Sequence, residues 1–273
     1  MALPAPAADS TAIVTGASSG IGREIARQLA RRGQGVTLVA RREERLRALA
    51  SELADRSGVR AEVAAADLTD EGARRQLLAT VADRGLTPTI LVNAAGLSTV
   101  GPVHRSDPAA ELTMIRTDVE ALADLCALVL PGMVERGAGA VLNVASTAAF
   151  QPLPGQAGYA ASKAFVVSYS RALRAELRGT GVTVTVLCPG PVKTEFVEAA
   201  GFDAGQAESA LPKFMWVEAS AVAKAAVDGL DQGRAQVVPG VANRASAVLA
   251  PLAPPNLLAR VLAGQHPGLK NSP

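Results

Sequence analysis

The sequence predicts one α/β domain, a doubly wound parallel sheet of the Rossmann type with about seven strands. Three observations support this prediction. Short β-branched runs alternate with longer helical patterns throughout residues 11–240. Most of these runs are apolar at every position, which is typical of strands covered on both faces. A glycine-rich loop also joins the first run directly to the first helical pattern, as in the first βα unit of many such sheets.

The elements follow one another in a regular order. Seven runs are predicted as strands, namely AIVTG (12–16), VTLVA (36–40), AEVAAAD (61–67), TILVNAAG (89–96), GAVLNVAS (139–146), VTVTVLCPG (182–190) and AQVVPG (235–240). Helices are expected between them at about 20–32, 43–57, 70–84, 108–136, 157–178 and 218–232. No repeat, linker or change of composition divides residues 11–240, so we assign them to one domain.

Two end segments flank this domain. Residues 1–10 are predicted to form a disordered tail. Residues 241–273 form a C-terminal extension that is uncharged over 245–259 and interrupted by prolines. Three interpretations stay open for the extension, in this order: it covers the pocket, packs on another subunit, or touches a membrane surface.

The composition is that of a globular protein without a strong net charge. Of the 273 residues, 49% are hydrophobic and 19% charged, and 27 basic against 25 acidic side chains leave a net charge of +2. No basic run is interleaved with aromatic residues, so we expect no nucleic-acid partner. The longest uncharged stretch, 137–162, is broken by glycines and prolines, so we expect no membrane-spanning helix there.

The chain has few residues that could bind a metal ion or form a disulfide. Cys126 and Cys188 lie far apart with no CxxC spacing, and only His104 and His266 accompany them. This pattern argues against a disulfide framework and against a metal site, and it fits a reducing compartment. The first ten residues lack a basic stretch followed by an apolar run, so we predict no signal peptide and a cytoplasmic location.

The loop TGASSGIG, residues 15–22, has the composition of a phosphate-binding loop. Glycines allow a tight turn and a close approach of the backbone to a pyrophosphate, and the helix that follows presents free N–H groups and the positive end of its dipole. An ordinary strand–helix turn is the alternative interpretation. The residues predicted to bind a dinucleotide here are Gly16, Ser18, Ser19, Gly20, Ile21 and Gly22.

The end of the second strand indicates which dinucleotide is bound. A cofactor with a free 2′-hydroxyl is normally held by an acidic residue about 20 residues beyond the loop. Here Ala40 takes that place and is followed by Arg41 and Arg42, which would pair with a 2′-phosphate. The alternative is that both arginines form the solvated start of a surface helix, where cations oppose the helix dipole. We therefore favour NADP(H) and keep NAD(H) as the second choice.

A catalytic set is predicted from three residues further along the chain. Tyr159 and Lys163 are four residues apart on a predicted helix, so that both side chains lie on one face. Ser146, 13 residues before the tyrosine, closes the fifth predicted strand. A tyrosine is a weak acid and a weak base at neutral pH unless a nearby cation stabilises its phenolate, as Lys163 can do. A YxxxK pair alone is usually a surface feature, and it gains weight from Ser146 and the glycine loop.

Together, TGxxxGxG, Ser146 and YxxxK resemble the short-chain dehydrogenase/reductase superfamily over about residues 11–240. The resemblance implies hydride transfer between a nicotinamide cofactor and a carbonyl or alcohol. Tyr159 would be the general acid and base, Ser146 would donate to the substrate oxygen, and Lys163 would also bind the nicotinamide ribose. Further cofactor contacts are implied at the ends of the third, fourth and sixth strands, namely Asp67, Leu68, Asn93, Ala94, Gly96, Pro189, Gly190, Val192 and Thr194. Taken singly, each of these segments also fits a structural turn.

One position departs from the pattern of the superfamily. The resemblance implies an asparagine partway along the fourth helix, binding a water that links the lysine to solvent, whereas this chain has Asp118. A carboxylate can also hold a water, but an anion near Lys163 would offset part of its field at Tyr159. Asp118 is therefore a catalytic candidate whose part in the proton relay stays open.

The segment after the sixth strand is predicted to wall the substrate pocket. Four of the chain's eight aromatic residues lie within 196–216, together with a leucine and a methionine; the six are Phe196, Phe202, Leu211, Phe214, Met215 and Trp216. Apolar walls select apolar substrates, although packing on the core is an equally good interpretation of any one residue. We expect a small apolar carbonyl or secondary alcohol as substrate.

Two other functions stay open. A dinucleotide-binding regulatory protein without turnover is conceivable because of Asp118, although the intact set of Ser146, Tyr159 and Lys163 argues against it. A sugar-nucleotide epimerase or dehydratase uses similar tyrosine and lysine chemistry, but it generally needs a larger C-terminal substrate region than this chain has beyond its last predicted strand.

The resemblance also implies a homodimer or homotetramer. Its contacts would lie on the helices predicted at 108–136 and 157–178, which are more apolar than outer helices of a monomer require. The candidate contacts are Leu125, Leu128, Phe165 and Val166.

Overall fold

A parallel β-sheet forms the centre of the chain in the computed structural model, which describes residues 3–200, 212–265 and 269. Its strands are β1 Ser10–Thr15, β2 Val36–Ala40, β3 Ala61–Ala65, β4 Thr87–Asn93, β5 Gly139–Val144, β6 Val182–Leu187 and β7 Gln236–Val237. They run in the order β3-β2-β1-β4-β5-β6-β7, with every neighbouring pair parallel. The predicted doubly wound α/β fold is therefore confirmed.

Helices connect the strands and cover both faces of the sheet. They are α1 Gly20–Ala30, α2 Glu43–Ser57, α3 Glu71–Asp83, α4 Pro108–Ile115, α5 Ala121–Glu135, α6 Ala157–Glu176, α7 Phe196–Ala199, α8 Ala219–Asp231, α9 Val241–Leu249 and α10 Pro255–Gln265. Helices α9 and α10 lie in the C-terminal extension, where the sequence pattern predicts no element.

Successive residues of the central strand face opposite layers of the core. Val14 of β1 packs with apolar side chains of α1, α2 and α8, whereas Ile13 packs with those of α3, α5 and α6. Both side chains are fully buried. Val14 lies beside Leu38 of β2 and Val92 of β4 in the sheet register. Because both faces are covered, most strand positions are apolar, and the polar residues of β1 lie towards its ends.

The order of the strands fixes where a ligand can bind. β1 lies between β2 and β4, so the chain leaves β1 towards one side of the sheet and returns at β4 on the other. In open α/β sheets a crevice forms at the carboxyl ends of the strands at this switch point. The glycine loop after β1 and the residues that follow β4 and β5 meet at this edge.

The helix predicted over 108–136 is instead two helices. A π-helical turn spans Arg116–Glu120 between α4 and α5. The sequence prediction misses it because this segment is apolar on more than one face, so its pattern does not show where one extra residue enters the hydrogen-bond ladder. Asp118 lies within this turn and is buried.

The N-terminal segment differs from the predicted disordered tail. The N–H of Leu3 donates to the Asp231 carboxylate over 2.9 Å, and the Pro4 carbonyl accepts a hydrogen bond of 2.7 Å from the Gln34 side chain. β1 itself begins at Ser10. These contacts join residues distant in sequence, which no local pattern indicates.

Two of the four predicted subunit contacts cannot lie on a surface. Leu125 and Val166 are 1% and 0% exposed and pack in the core below α5 and α6. Leu128 is partly exposed, and Phe165 is 37% exposed. Periodicity could not separate them, since both helices are apolar on more than one face.

None of the helices within the described ranges is long and apolar enough to cross a membrane.

Candidate active site

The glycine loop adopts a backbone that requires glycine at two positions. Gly16 and Gly20 have positive φ values of 67° and 54°. A Cβ on Gly16 would lie 2.7 Å from the Ala94 carbonyl oxygen, so the loop lies directly against the end of β4. The Thr15 hydroxyl holds this contact by accepting hydrogen bonds of 3.0 Å from the N–H groups of Ala94 and Ala95.

Helix α1 begins at Gly20, immediately after the loop. The side chain of Ser19, which precedes the helix, makes no capping hydrogen bond to it. The first N–H groups of an α-helix have no partner within the helix, and with the positive end of the helix dipole they form a ready site for a phosphate.

A cavity of about 880 Å³ opens above this loop. Its volume is near the upper end of the range of about 300–1,000 Å³ that is typical of small-molecule sites. The predicted site residues that line it are Gly16, Ser18, Ser19, Gly20, Ile21, Gly22, Arg41, Arg42, Asp67, Leu68, Ala94, Gly96, Ser146, Tyr159, Lys163, Pro189, Gly190, Val192 and Thr194. The fold therefore brings segments from six strand ends to one cleft.

Two predicted site residues, Asn93 and Asp118, are not among the lining residues. The Asn93 side chain points into the core, where its Nδ2 donates to Asn143 Oδ1 over 2.9 Å and to Cys126 Sγ over 3.4 Å. The Asn93 amide nitrogen thus joins β4, β5 and α5, and the cofactor contact at this position stays a prediction. Asp118 reaches the site only through Lys163.

The end of β2 supplies positive charge at the rim of the cavity. Arg42 donates from Nη2 to the hydroxyls of Ser18 and Ser19 over 3.0 and 2.9 Å, so it already contacts the glycine loop. Arg41 is exposed and lies near Asp67. Hydrogen bonds from the backbone and side chain of Thr69 lower the pKa of Asp67, and Arg41 adds to this effect.

The catalytic candidates Ser146, Tyr159 and Lys163 also line this cavity. Tyr159 and Lys163 lie in the first two turns of α6, and Ser146 follows β5. The Lys163 ammonium lies 5.5 Å from the centre of the Tyr159 ring and 3.4 Å from the Val144 carbonyl oxygen. The Ser146 hydroxyl accepts a hydrogen bond of 3.1 Å from the N–H of Ala148.

Asp118 is the closest charged partner of Lys163. Its Oδ2 lies 2.8 Å from the ammonium, and its Oδ1 accepts a hydrogen bond of 2.7 Å from the N–H of Leu97. The carboxylate is 0% exposed and the lysine side chain 6%. A Cβ on Gly96 would lie 3.2 Å from Lys163 Nζ, so glycine at this position leaves room for the ion pair.

Burial and these charges act together on the ionisation of the site. Burial raises the pKa of Tyr159; Lys163 and a hydrogen bond with Ser146 oppose that rise, and Asp118 adds to it. Burial lowers the pKa of Lys163, but Asp118 and Tyr159 outweigh burial and hold it above its ordinary value. Burial also raises the pKa of Asp118, against the opposing effects of Lys163 and the Leu97 N–H. The lysine therefore stays charged, and its field is shared between two partners.

The apolar wall predicted after β6 is present in part. Phe196, Met215 and Trp216 line the cavity, and the Phe196 ring centre lies 5.8 Å from that of Tyr159. Phe214 does not line it and is 74% exposed. Phe202 and Leu211 lie outside the described residues.

Several lining residues were not indicated by the sequence. The C-terminal extension, for which covering the pocket is the first interpretation, contributes Ser246 of α9 and Leu262 of α10, although no local signal marks these two residues. Arg45 and Glu195 also line the cavity. Arg45 lies one helical turn beyond Arg41 and Arg42, so the helical spacing could have indicated it.

The turn after β6 is fixed to the C-terminal extension. A Cβ on Gly190 would lie 2.2 Å from Asn243 Oδ1, so glycine is needed where Asn243 packs against the turn. Asn243 is buried and donates to the Met215 carbonyl over 2.9 Å and to the Pro239 carbonyl over 3.2 Å. One side chain of α9 thus joins the turn, the substrate wall and the end of the sheet.

The cleft fits a nicotinamide dinucleotide. A glycine cradle without room for side chains and an uncapped helix N-terminus suit a pyrophosphate, and exposed arginines at the rim suit a phosphate. A tyrosine and a charged lysine line the same cavity. Among the described residues, no group of three or more His, Cys, Asp or Glu side chains is placed to hold a metal ion.

Comparisons with known proteins agree with this geometry. The family model for short chain dehydrogenases matches residues 10–203. Sulfoacetaldehyde reductase 2 of Chromohalobacter salexigens is 42% identical over 186 residues, which are 67% of this chain and 73% of that protein. The NADP-dependent 3-hydroxy acid dehydrogenase of Escherichia coli is 40% identical over 186 residues, with the same coverage of 67% and 73%.

A solved structure is similar over a larger part of the chain. The short-chain dehydrogenase from Sphingobium yanoikuyae, determined in complex with NADPH, superimposes with a TM-score of 0.78 at 35% sequence identity. The match covers 88% of this chain and 92% of that chain, so it includes most of the sheet and both helical layers.

Proposed function

The chain belongs to the short-chain dehydrogenase family, and from this premise we propose that it transfers a hydride between NADP(H) and a small apolar carbonyl or secondary alcohol. The observation that carries the proposal is one shared cavity. Ser146, Tyr159 and Lys163 line it together with the glycine loop. A dinucleotide seated on the loop would bring its nicotinamide towards the tyrosine.

Tyr159 acts as general acid in reduction and as general base in oxidation. When bound, the nicotinamide supplies or accepts the hydride. During reduction the Tyr159 hydroxyl gives its proton to the carbonyl oxygen, and during oxidation its phenolate takes the proton of the alcohol. Ser146 donates a hydrogen bond to the same oxygen and stabilises the negative charge that develops there.

Lys163 adjusts the proton affinity of Tyr159. Its ammonium favours the phenolate and so opposes the effect of burial on the tyrosine pKa. Asp118 keeps Lys163 charged and orients it, but it weakens the potential that reaches the tyrosine. Because Asp118 acts through Lys163 and does not line the cavity, we assign it a positioning role rather than a catalytic one.

The cofactor preference rests on Arg41 and Arg42. Both line the cavity at the end of β2, where an acidic side chain would otherwise hold a ribose 2′-hydroxyl. The Escherichia coli relative is named as NADP-dependent, and the Sphingobium structure contains NADPH, which supports the same choice for this chain. NAD(H) remains the second candidate.

The substrate class follows from the walls near Tyr159. Five apolar or aromatic side chains line the cavity, namely Leu153, Phe196, Met215, Trp216 and Leu262. Apolar and aromatic walls gain binding energy from apolar substrate surface, while the few polar groups fix the orientation of the reacting carbonyl.

We also propose a cytoplasmic location and a homo-oligomeric assembly, either a homodimer or a homotetramer. Cys126 and Cys188 are both free and buried, which fits a reducing compartment. Leu112, Ile115 and Phe165 are exposed apolar side chains on α4 and α6, which fit a subunit interface.

The test is a panel of carbonyls and alcohols measured by NADPH and NADH absorbance. We expect turnover of apolar ketones, aldehydes or secondary alcohols, faster with NADP(H) than with NAD(H). Tight NADPH binding without turnover of any panel member would instead favour the regulatory alternative. Turnover restricted to charged substrates would contradict the assigned substrate class.

A further inference from the structure

Three charged residues form a bridge over the rim of the cofactor cleft. Glu195 accepts hydrogen bonds of 2.8 and 2.7 Å from Nη1 of Arg45 through its two carboxylate oxygens, and one of 3.0 Å from Nη1 of Arg42. The arginines lie at the start of α2, and Glu195 comes from the turn after β6. All three line the cavity, and we call them the rim bridge.

The rim bridge is attached to the cofactor site at both ends. Arg42 also donates to the hydroxyls of Ser18 and Ser19 in the glycine loop. Glu195 directly follows Thr194, whose Cγ2 would lie 3.3 Å from a Cβ built on Gly20. The Glu195 carboxylate therefore contacts the Arg42 guanidinium, which also faces the glycine loop. In folds of this type the adenosine ribose binds near that loop.

A 2′-phosphate and Glu195 are anions that need the same cations. A 2′-phosphate bound between Ser18 and Arg42 would meet the carboxylate held on the other side of that guanidinium. Like charges at this distance repel, whereas a ribose 2′-hydroxyl carries no charge and leaves the bridge undisturbed. The side chains of Arg42, Arg45 and Glu195 are 46%, 47% and 47% exposed, so solvent weakens the bridge and a doubly charged ligand can break it.

We propose that Glu195 is a cofactor-specificity residue: its carboxylate occupies Arg42 and Arg45 in the free protein, and the 2′-phosphate of NADP(H) displaces it. This inference rests on the proposed use of NADP(H). Glu195 thereby reduces the preference for NADP(H) that the arginines create. When the phosphate displaces the Glu195 carboxylate, the hydrogen bonds that join Glu195 to Arg42 and Arg45 are lost. Arg45 becomes available as an additional cation for the phosphate.

The test measures binding rather than turnover. Dissociation constants for NADPH, NADH, adenosine 2′,5′-bisphosphate and AMP are determined by calorimetry with the unmodified protein and with Glu195→Gln. The matched control is Glu71→Gln, which removes an exposed carboxylate that pairs with Arg75 on α3 and does not line the cavity. Equal thermal midpoints for the three proteins verify that folding is unchanged.

Glu195→Gln is expected to tighten binding of NADPH and of adenosine 2′,5′-bisphosphate by about twofold to fivefold, the range of an exposed ion pair. Binding of NADH and AMP should change much less, and Glu71→Gln should change none of the four. Raising the salt concentration should shrink the difference between Glu195→Gln and the unmodified protein, because salt screens the competing charge.

The failure of this inference differs from the failure of the proposed function. If the unmodified protein prefers NADPH and Glu195→Gln leaves the NADPH-to-NADH ratio unchanged, Glu195 does not compete and the inference is overturned while the proposed function stands. Weaker NADPH binding in Glu195→Gln also overturns it, since Glu195 would then help to hold the cofactor. If the unmodified protein prefers NADH, the proposed cofactor and this inference are both overturned.

Discussion

The guanidinium of Arg74 donates from Nη1 to the carbonyl oxygen of Leu68 over 2.8 Å, which links α3 to the edge of the cofactor cavity. The arginine side chain is only 2% exposed. Its remaining donors pair with Asp124 of α5 and, over 2.8 Å, with Glu120 of the π-helical turn. One buried cation thus joins α3, α5 and the strand end that would face the adenine.

We predict that Arg74→Ala destabilises the fold by about 2–4 kcal/mol, because it leaves a carbonyl and two carboxylates without their buried partner. The matched control is the neighbouring Arg75→Ala, which breaks only the exposed pair with Glu71 and should change stability little. Urea unfolding curves of the three proteins provide the comparison. Equal losses for both substitutions would contradict the structural role of Arg74.

The sequence alone does not show which of Arg74 and Arg75 is buried. Both stand in the segment EGARRQLL, and nothing local distinguishes the buried arginine from the exposed one. The difference arises from α5, which brings Asp124 to one side of α3. Strand positions are easier to predict, since a strand such as β1 is covered on both faces and its central residues 12–14 are apolar without alternation.

The candidate site likewise contains residues that the sequence indicates and residues that only the fold brings together. The glycine loop and the Tyr159–Lys163 pair depend on spacing within one short segment, so the sequence could indicate them. Leu262 reaches the cavity through tertiary contacts alone. Glu195 directly follows the predicted site residue Thr194, but its contacts with Arg42 and Arg45 arise only in the folded chain. The π-helical turn at Asp118 is not indicated by the sequence, because a segment that is apolar on more than one face does not show where one extra residue enters the hydrogen-bond ladder.

Tyr159→Phe is predicted to reduce turnover by at least about 100-fold, because it removes the general acid and base. Cofactor affinity should stay nearly unchanged, since the aromatic ring remains. Steady-state rates and a fluorescence titration with NADPH give the two values. Appreciable turnover in Tyr159→Phe would contradict the mechanism assigned to Tyr159.

Lys163→Ala is predicted to weaken both turnover and cofactor binding. The substitution removes the cation that favours the Tyr159 phenolate and the donor expected to reach the ribose. It also leaves the Asp118 carboxylate, which is 0% exposed, without its cation, so the thermal midpoint should fall as well. Lys224→Ala, which breaks an exposed pair with Asp228 on α8, is the control and should leave all three quantities nearly unchanged.

Arg41→Ala is predicted to weaken NADPH binding by about 1.5–3 kcal/mol with little effect on NADH, because it removes a charge-assisted contact to the 2′-phosphate. Arg47→Ala is a suitable control, since Arg47 is exposed on α2, pairs with Glu43 and does not line the cavity. Calorimetric titration with both cofactors separates the effects. Equal losses for NADPH and NADH would show that Arg41 does not read the phosphate.

Phe165→Glu is predicted to shift the protein towards the monomer. Phe165 is 37% exposed and stacks on Tyr169 with ring centres 5.4 Å apart, forming an aromatic surface on α6. A charge in the middle of an apolar interface would be costly to bury. Light scattering at micromolar concentration should show more than one subunit for the unmodified protein and a lower mass for the variant. A monomeric unmodified protein would contradict the proposed assembly.

Asp118→Asn is predicted to move the rising limb of the pH–rate profile for alcohol oxidation to lower pH. Oxidation needs the Tyr159 phenolate, and Asp118 acts to raise the pKa of that tyrosine. A neutral amide removes this effect while leaving Lys163 in place, so the phenolate forms at lower pH. Rates are measured across the alkaline range beside Asp83→Asn, which removes an exposed carboxylate of α3. An unchanged profile with unchanged cofactor binding would remove Asp118 from the groups that act on Tyr159.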